Sequence, residues 1–295
     1  MKKIAINLLG IKGLKCLEVV IDKRLHTDFF MTVIVGRDQL IENDFGNEII
    51  DLCNKNNIRC IERYIGIDYA KYDYVIAISW RWMISGVCEK KLIIFHDSLL
   101  PRYRGFAPLV NAAMNKEPFV GVTALFGSHN YDEGDIIAQS SIPVIYPINI
   151  KSLIDMIIPC YVDLFTEILY KMLASTQLIG RKQDEDCATY SIWLDAEDYF
   201  IDWSASSADI LHKINLLGPP YKYAHARLSG EIILIHAAEI INDIKIERQH
   251  IGKVIFIKDD CPIVICGEGL IKLTSIFRQD GSSILPFNRF RVRFS

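Results

Sequence analysis

Apolar and polar positions fall into short blocks along the first two thirds of the chain, and the period within each block predicts its element. Lys3 to Leu8 is an apolar run of buried-strand character, followed by a turn at Gly10–Gly13 and by a helix over Leu14 to Arg24, where apolar residues recur at helical spacing. Phe29 to Val35 predicts a second strand, Gly46 to Asn57 a helix, and Tyr74 to Ile78 and Leu92 to Phe95 two more strands. Ala107 to Asn115 reads as a helix that tolerates Pro108 in its first turn. Val120 to Phe126 and Ile136 to Ile145 are further strands, and Pro143 puts the second at a sheet edge. A long helix from about Ile150 to Ala174 carries an apolar stripe and an internal Pro159, which predicts a kink.

After about Asp198 the pattern changes. One amphipathic helix, Ser204 to Leu217, ends at Gly218-Pro219-Pro220. Short strands then follow between turn signals: Ala224 to Leu228, Glu231 to Asp243, Gly252 to Ile257, Pro262 to Cys266 and Gly269 to Phe277. Strands alternating with helices predict an α/β fold with a Rossmann-like, doubly wound, mostly parallel sheet. The evenly spaced strands after it predict a small β-barrel-like (OB-like) domain. The expected division is a catalytic domain over 1–190, a linker over 191–204 and the barrel-like domain over 205–295.

With 51% hydrophobic residues, a net charge of −3 and a pI near 6.2, the 295-residue chain has the balance of an ordinary soluble protein. It carries no extended basic field for nucleic acid. The opening Met1-Lys2-Lys3 and the apolar run after it have the outline of a signal peptide, but Asn7 interrupts the run, which reads better as a strand. No apolar stretch reaches the ~18 residues of a membrane span. The eight cysteines are scattered without the paired spacing of a zinc site, so no metal centre is expected and free thiols in a reducing cytoplasm are. The glycines at 10 and 13 do not make a dinucleotide fingerprint.

Two stretches carry candidate chemistry. Leu92-Ile-Ile-Phe-His-Asp-Ser-Leu-Leu-Pro-Arg-Tyr-Arg-Gly105 runs from a strand into a polar loop headed by His96 and Asp97. Loops beyond the carboxyl ends of strands are where ligands bind in open α/β sheets, and a histidine there is suited to proton exchange near neutral pH. The bland alternative is a histidine that merely ends a strand and two solvated arginines. Further on, Asp132, Glu133 and Asp135 surround Gly134 in one loop. Carboxylates that close repel one another unless a cation, a protonated histidine or a metal shares the site. The spacing is not that of a calcium loop.

Taken together, Ser98-Leu-Leu-Pro-Arg-Tyr-Arg-Gly105, Gly121-Val-Thr123 and Asp132-Glu-Gly-Asp135 strongly resemble the formyltransferases that use N10-formyltetrahydrofolate. That family includes methionyl-tRNA formyltransferase and the N-formyltransferases of nucleotide-linked amino sugars. Gln183, Ala188-Thr-Tyr190, Ile201-Asp-Trp203 and Gly218-Pro-Pro-Tyr221 extend the resemblance through the linker and the second domain. The family works with an Asn, a His two residues later and an Asp about 36 residues beyond the His. His96 and Asp132 match the last two; Ile94 stands at the Asn position.

What the resemblance implies is a catalytic pair. His96 would supply an oxyanion donor and relay the proton of the attacking amine, and Asp132 would orient the imidazole. Ile94 cannot supply the amide donor, and losing one such donor costs about 10²–10³ in rate. Ser98, a backbone N–H or a protonated Asp97 would have to replace it, with a coupled change at 94 and 97 as the favoured explanation. Trp80, Arg81 and Trp82, with Gly134, Asp135 and Ile136, would line the folate pocket. Ser98, Arg102, Tyr103 and Arg104 would bind the acceptor; the two arginines are candidates to hold an anion, a nucleotide pyrophosphate or the folate glutamate tail, with a purely structural role for one of them an equal alternative.

For the acceptor, residues 197–295 carry 12 Lys and Arg against 12 Asp and Glu, so that domain is neutral and unsuited to a phosphate backbone. The connection from Gly36 to Phe45 is short and acidic. The expectation is a cytoplasmic enzyme, dimeric like many sugar-acting relatives. Its substrate would be a small amine, foremost an amino sugar on a nucleotide for cell-surface glycan (lipopolysaccharide) synthesis. A hydroxy-amino-acid amine, methionyl-tRNA, and a non-catalytic folate or nucleotide binder are the other readings.

Overall fold

The apolar run at the start forms strand β1 (Lys3–Leu8), five of whose six side chains are buried, and the chain turns straight from it into helix α1 (Gly10–Asp22). The expected turn at Gly10–Gly13 is instead the first turn of that helix. A Cβ on Gly13 would lie 3.1 Å from the Leu8 Cβ, so glycine lets the helix leave the strand without an intervening loop. The sheet continues with β2 (Phe30–Val35), α2 (Gly46–Lys55), β3 (Arg59–Glu62), β4 (Tyr74–Ile78) and β5 (Leu92–His96). A two-residue β6 (Arg104–Gly105), α3 (Pro108–Met114), β7 (Phe119–Phe126), β8 (Ile136–Pro143), α4 (Ile150–Leu173) and a two-residue β9 (Tyr190–Ser191) complete this region.

The computed structural model describes residues 1–38, 43–241 and 244–295. The central part of the predicted Gly36–Phe45 connection and the last two positions of the predicted Glu231–Asp243 strand lie outside the described residues. The chain divides into two units, Met1–Val144 with Ile154–Trp193, and Ile145–Leu153 with Leu194–Ser295.

In the first unit, among the described residues, seven strands pair in the order β3-β2-β1-β4-β5-β7-β8. The first five are parallel, and β7 and β8 add antiparallel at one side. β8 is the edge strand that Pro143 called for. β3 was not foreseen: its four residues begin and end with a charge, and no side chain in it is fully buried, so only pairing with β2 makes it a strand. The order reverses between β1 and β4, which puts Leu9–Lys12 and Ser79–Trp82 at the crevice where such sheets bind ligands.

The second unit is built on helix α5 (Ser207–Leu216), whose start is capped by the Ser206 hydroxyl accepting from the Asp209 N–H at 3.1 Å. Strands β10 (Ala224–Leu228), β11 (Glu231–Ile241), β12 (Val254–Lys258), β13 (Cys261–Ile265) and β14 (Leu270–Arg278) form one antiparallel sheet in the order β10-β11-β14-β13-β12. The chain's last residues stitch its two edges together. Arg227 and Ser295 exchange backbone hydrogen bonds at 2.6 and 2.9 Å, while Val254 N–H donates to the Val292 carbonyl and Phe294 N–H to the Gly252 carbonyl. The barrel-like expectation is met through this bridging segment, not by a direct β10–β12 ladder. Phe294, 1% exposed, packs its ring against Trp203 with centroids 5.6 Å apart. Phe294→Ala should therefore destabilise the second unit by about 3–5 kcal/mol, measured as a loss in urea-unfolding free energy.

Candidate active site

β5 ends with His96, and Ile94 lies two residues back on the same face of the strand. His96 is 8% exposed. Its Nε2–H donates to the Tyr103 carbonyl at 2.7 Å, and Nδ1 lies 3.5 Å from Asp132 Oδ2. The carbonyl can only accept, so Nε2 carries a proton. In the neutral ring the Nδ1 lone pair then faces a carboxylate, one proton short of a hydrogen bond. Asp132 sits in the left-handed region (φ 57°), its Oδ2 accepting from the Gly105 N–H at 2.9 Å. Among the described residues Oδ1 has no hydrogen-bond partner.

The loop bearing Asp132 is held from beneath by Arg104, which is fully buried. Its guanidinium donates to Gln183 Oε1 at 3.0 and 2.9 Å and, as a two-pronged fork, to both oxygens of Glu185 at 2.8 Å. Gln183 passes the restraint on, donating from Nε2 to the carbonyls of Asp132 and Gly134 at 2.6 and 2.8 Å. The Glu185 carboxylate, Tyr190 hydroxyl and burial act together on Arg104; hydrogen bonding to Glu185 dominates and raises its pKa further. The expectation that Arg104 holds a substrate anion is corrected: its donors are taken up inside the protein. Gln183 was quoted for resemblance alone, and its bridging role was not legible because its partners lie 49 and 51 residues away.

The other residues expected to bind the acceptor also have partners within the chain. Arg102 makes a two-pronged pair with Glu117, and Tyr103 donates its hydroxyl to the same carboxylate at 2.6 Å. Tyr103 contributes through its carbonyl on His96, whereas Arg102, its side chain 51% exposed, keeps donors beyond the two given to Glu117. Ser98 is 3% exposed, its N–H donates to the His96 carbonyl at 2.9 Å, and its Oγ is buried without a partner. Thr123, which registers opposite His96, accepts from Leu100 N–H and donates to the Ser98 carbonyl, tying down the chain just past His96.

Asp97 is also corrected. It is not a protonated donor, since Lys12 and the Tyr161 hydroxyl both donate to its carboxylate. Burial by itself would raise its pKa, but the Lys12 charge and hydrogen bond, with Tyr161 and His96, outweigh this and hold it below the ordinary value. Tyr161 is pushed well above its own by burial and by Asp97. Lys12 and Tyr161 were missed because they lie 85 and 64 residues from Asp97. At Ile94 the partly buried side chain packs with Leu100, Leu125 and Ile136.

At the crevice, Trp80 and Trp82 meet edge to face at 4.8 Å over Gly36, where a Cβ would come within 2.7 Å of the Trp82 ring. Arg63 covers the Trp82 face at 4.2 Å, and Arg81 pairs with Asp38. Among the described residues the buried Trp80 indole N–H has no partner. The backbone expected to meet folate is largely committed: Gly134 O to Gln183, Asp135 O to Phe126 N–H, and Ile136 to Arg181 through both its groups. Two clefts of about 690 and 680 Å³ open at the amino-terminal ends of the strands, around Lys2, Asp73 and Lys90 and around Phe30, Arg59 and Tyr72; none of the residues above lines them.

A formyl transferase model matches residues 66–157, and a model of the formyl transferase C-terminal domain matches 194–290; together they span more than half of the chain. The chain belongs to the formyl transferase family. A methionyl-tRNA formyltransferase of Lactococcus lactis is 34% identical over 178 residues, 60% of this chain and 55% of the relative. The match thus spans little more than half the length of that curated relative. An N-formyltransferase from Helicobacter canadensis, solved with folinic acid and dTDP-3-aminofucose, superposes with a TM-score of 0.68 at 17% identity, covering 92% of this chain and 99% of that one. HypX from Aquifex aeolicus, solved with tetrahydrofolic acid, gives 0.65 at 17%, covering 96% and 45%. At such identities these two establish the fold alone. No helix among the described residues is long and apolar enough to cross a membrane.

The buried Lys12–Asp97 pair yields a stability test. Lys12→Met strands the Asp97 charge and should cost about 3 kcal/mol in urea unfolding, with Asp97→Asn added to it recovering part of the loss. Because folding lowers the Asp97 pKa, its stabilisation is present above about pH 4 and is lost as pH falls through the lower folded value. The variant should lack this acid-side loss.

Proposed function

We propose that the chain is an N-formyltransferase that moves a formyl group from N10-formyltetrahydrofolate to the amine of an amino sugar carried on a nucleotide. The observation that carries the transfer chemistry is the His96 Nδ1–Asp132 Oδ2 pair, 3.5 Å apart. A substrate ammonium has a partner in the uncommitted Oδ1 of Asp132, and its proton fits the gap between Nδ1 and Oδ2. Once there, it turns the facing lone pairs into a charge-assisted hydrogen bond and leaves the amine free to attack. The Tyr103 carbonyl and Gly105 N–H fix ring and carboxylate during that transfer.

The folate would supply the electrophilic formyl carbon: as the amine nitrogen bonds to it the bond to N10 breaks, and N10 leaves as an N–H by taking the proton that the His96–Asp132 pair received. The unpartnered Trp80 indole N–H, beside Trp82 and Gly36, fits an acceptor atom on the rim of a flat heterocycle, which supports Trp80 and Trp82 as its holders. Gly134, Asp135 and Ile136 are left with side-chain contacts and the backbone groups not already engaged. With Ile94 apolar, Asp97 ionised and both His96 nitrogens directed at Tyr103 and Asp132, the Ser98 hydroxyl is the expected side-chain replacement that has no partner among the described residues, and we assign it as the oxyanion donor.

A nucleotide amino sugar is supported by the neutral balance of residues 197–295 and by the dTDP-3-aminofucose named with the Helicobacter neighbour. Methionyl-tRNA is the second reading, favoured by the Lactococcus relative. Incubation with N10-formyltetrahydrofolate and each acceptor class, read by mass spectrometry for a product heavier by one formyl group, separates them. The sugar nucleotide should be formylated and methionyl-tRNA should not. Asp132→Asn and His96→Asn should each lower kcat by about 10²–10⁴. Unchanged turnover in either would remove that residue from the mechanism. Ser98→Ala should lose about 10²–10³ in kcat with little change in KM, as for other single oxyanion donors.

A further inference from the structure

Three exposed aromatic side chains gather on segments that adjoin the one bearing the catalytic carboxylate. Phe106 is 38% exposed, Tyr131 56% and Trp193 62%, unusual for rings this large. Phe106 links the other two: its centroid lies 5.6 Å from Tyr131 and 5.7 Å from Trp193, the latter edge to face at 86°. Their place in the chain ties them to the chemistry. Tyr131 immediately precedes Asp132, and Phe106 immediately follows Gly105, whose N–H holds the Asp132 carboxylate. An amine held at Asp132 lies beside the two segments that carry Tyr131 and Phe106.

The charge around the cluster narrows what such an amine belongs to. The loop carries three carboxylates, Asp132, Glu133 and Asp135, with the exposed His129 two residues before Tyr131 and 3.8 Å from Glu89, and the nearby Arg104 has its donors engaged by Gln183 and Glu185. A phosphate would meet three carboxylates of this loop, while the Arg104 donors are taken up within the chain. An ammonium-bearing ring would meet opposite charge and electron-rich faces.

We propose that Phe106, Tyr131 and Trp193 form the platform on which the amine-bearing pyranose ring of the acceptor lies, its C–H face against the rings and its nucleotide directed away from them. This rests on the formyl-transfer reading, and it assigns acceptor selection to three residues outside the catalytic pair. A methionyl group is the competing occupant, since a thioether also packs well on aromatic rings.

Saturation-transfer NMR with UDP-glucosamine and with methioninamide, on the full chain without folate, tests it independently of turnover. Strongest saturation should fall on the glucosamine ring protons, not the uracil protons. Trp193→Ala and Tyr131→Ala should each weaken UDP-glucosamine binding about ten- to hundredfold. Trp193→Phe should keep most of it. Saturation confined to uracil, stronger binding of methioninamide, no binding of UDP-glucosamine by the wild type, or indifference to Trp193→Ala would each overturn the platform. Binding that follows this pattern without any formylated product would instead sink the transfer reading and leave the platform standing.

Discussion

A fully buried guanidinium is the constraint on which the candidate site depends. Arg104 cannot be left without partners in the interior, because an uncompensated buried charge costs several kcal/mol, on the order of 3–5. Its fork therefore fixes Gln183 and Glu185, and Gln183 in turn fixes the carbonyls on either side of Glu133. Asp132 is thereby held with a positive φ, directly opposite His96. The residue that looked most suited to gripping substrate is the one that positions the machinery.

A second set of restraints works from the strand side. Tyr103 holds the imidazole through its carbonyl, while Thr123 and Gln139 hold the chain just beyond β5, Gln139 donating to the Leu100 carbonyl and to Thr123. The Lys12–Asp97–Tyr161 group adds a buried charge pair next to the histidine. This accounts for Asp97 without giving it an oxyanion: its partner is a cation on α1, and its carboxylate has no proton to donate. Ile94 is accounted for by packing, because the face it shares with Leu100, Leu125 and Ile136 is apolar.

The second unit solves a different problem. An antiparallel sheet of five strands leaves two edges with unpaired backbone groups, which invite association with other strands. Residues 292–295 bond to both edges and bury Phe294 between them, which explains why strands read only as short alternating segments make a barrel-like body.

How much of this the sequence determined follows from the range of each interaction. Element type was legible wherever a local period existed, from β1 to the last strand, and so was the pair His96 and Asp132, through motifs that keep their spacing in one chain. β3 was not, because its four half-buried residues have no period of their own. Nor were the roles of Arg104, Arg102, Tyr103 and Asp97: a sequence shows a charge but not its partner, and here the partners Glu185, Glu117, Lys12 and Tyr161 lie 14 to 85 residues away. Whether an arginine binds a ligand or braces a loop is decided by burial and by which acceptors arrive beside it. Only the folded chain brings those together.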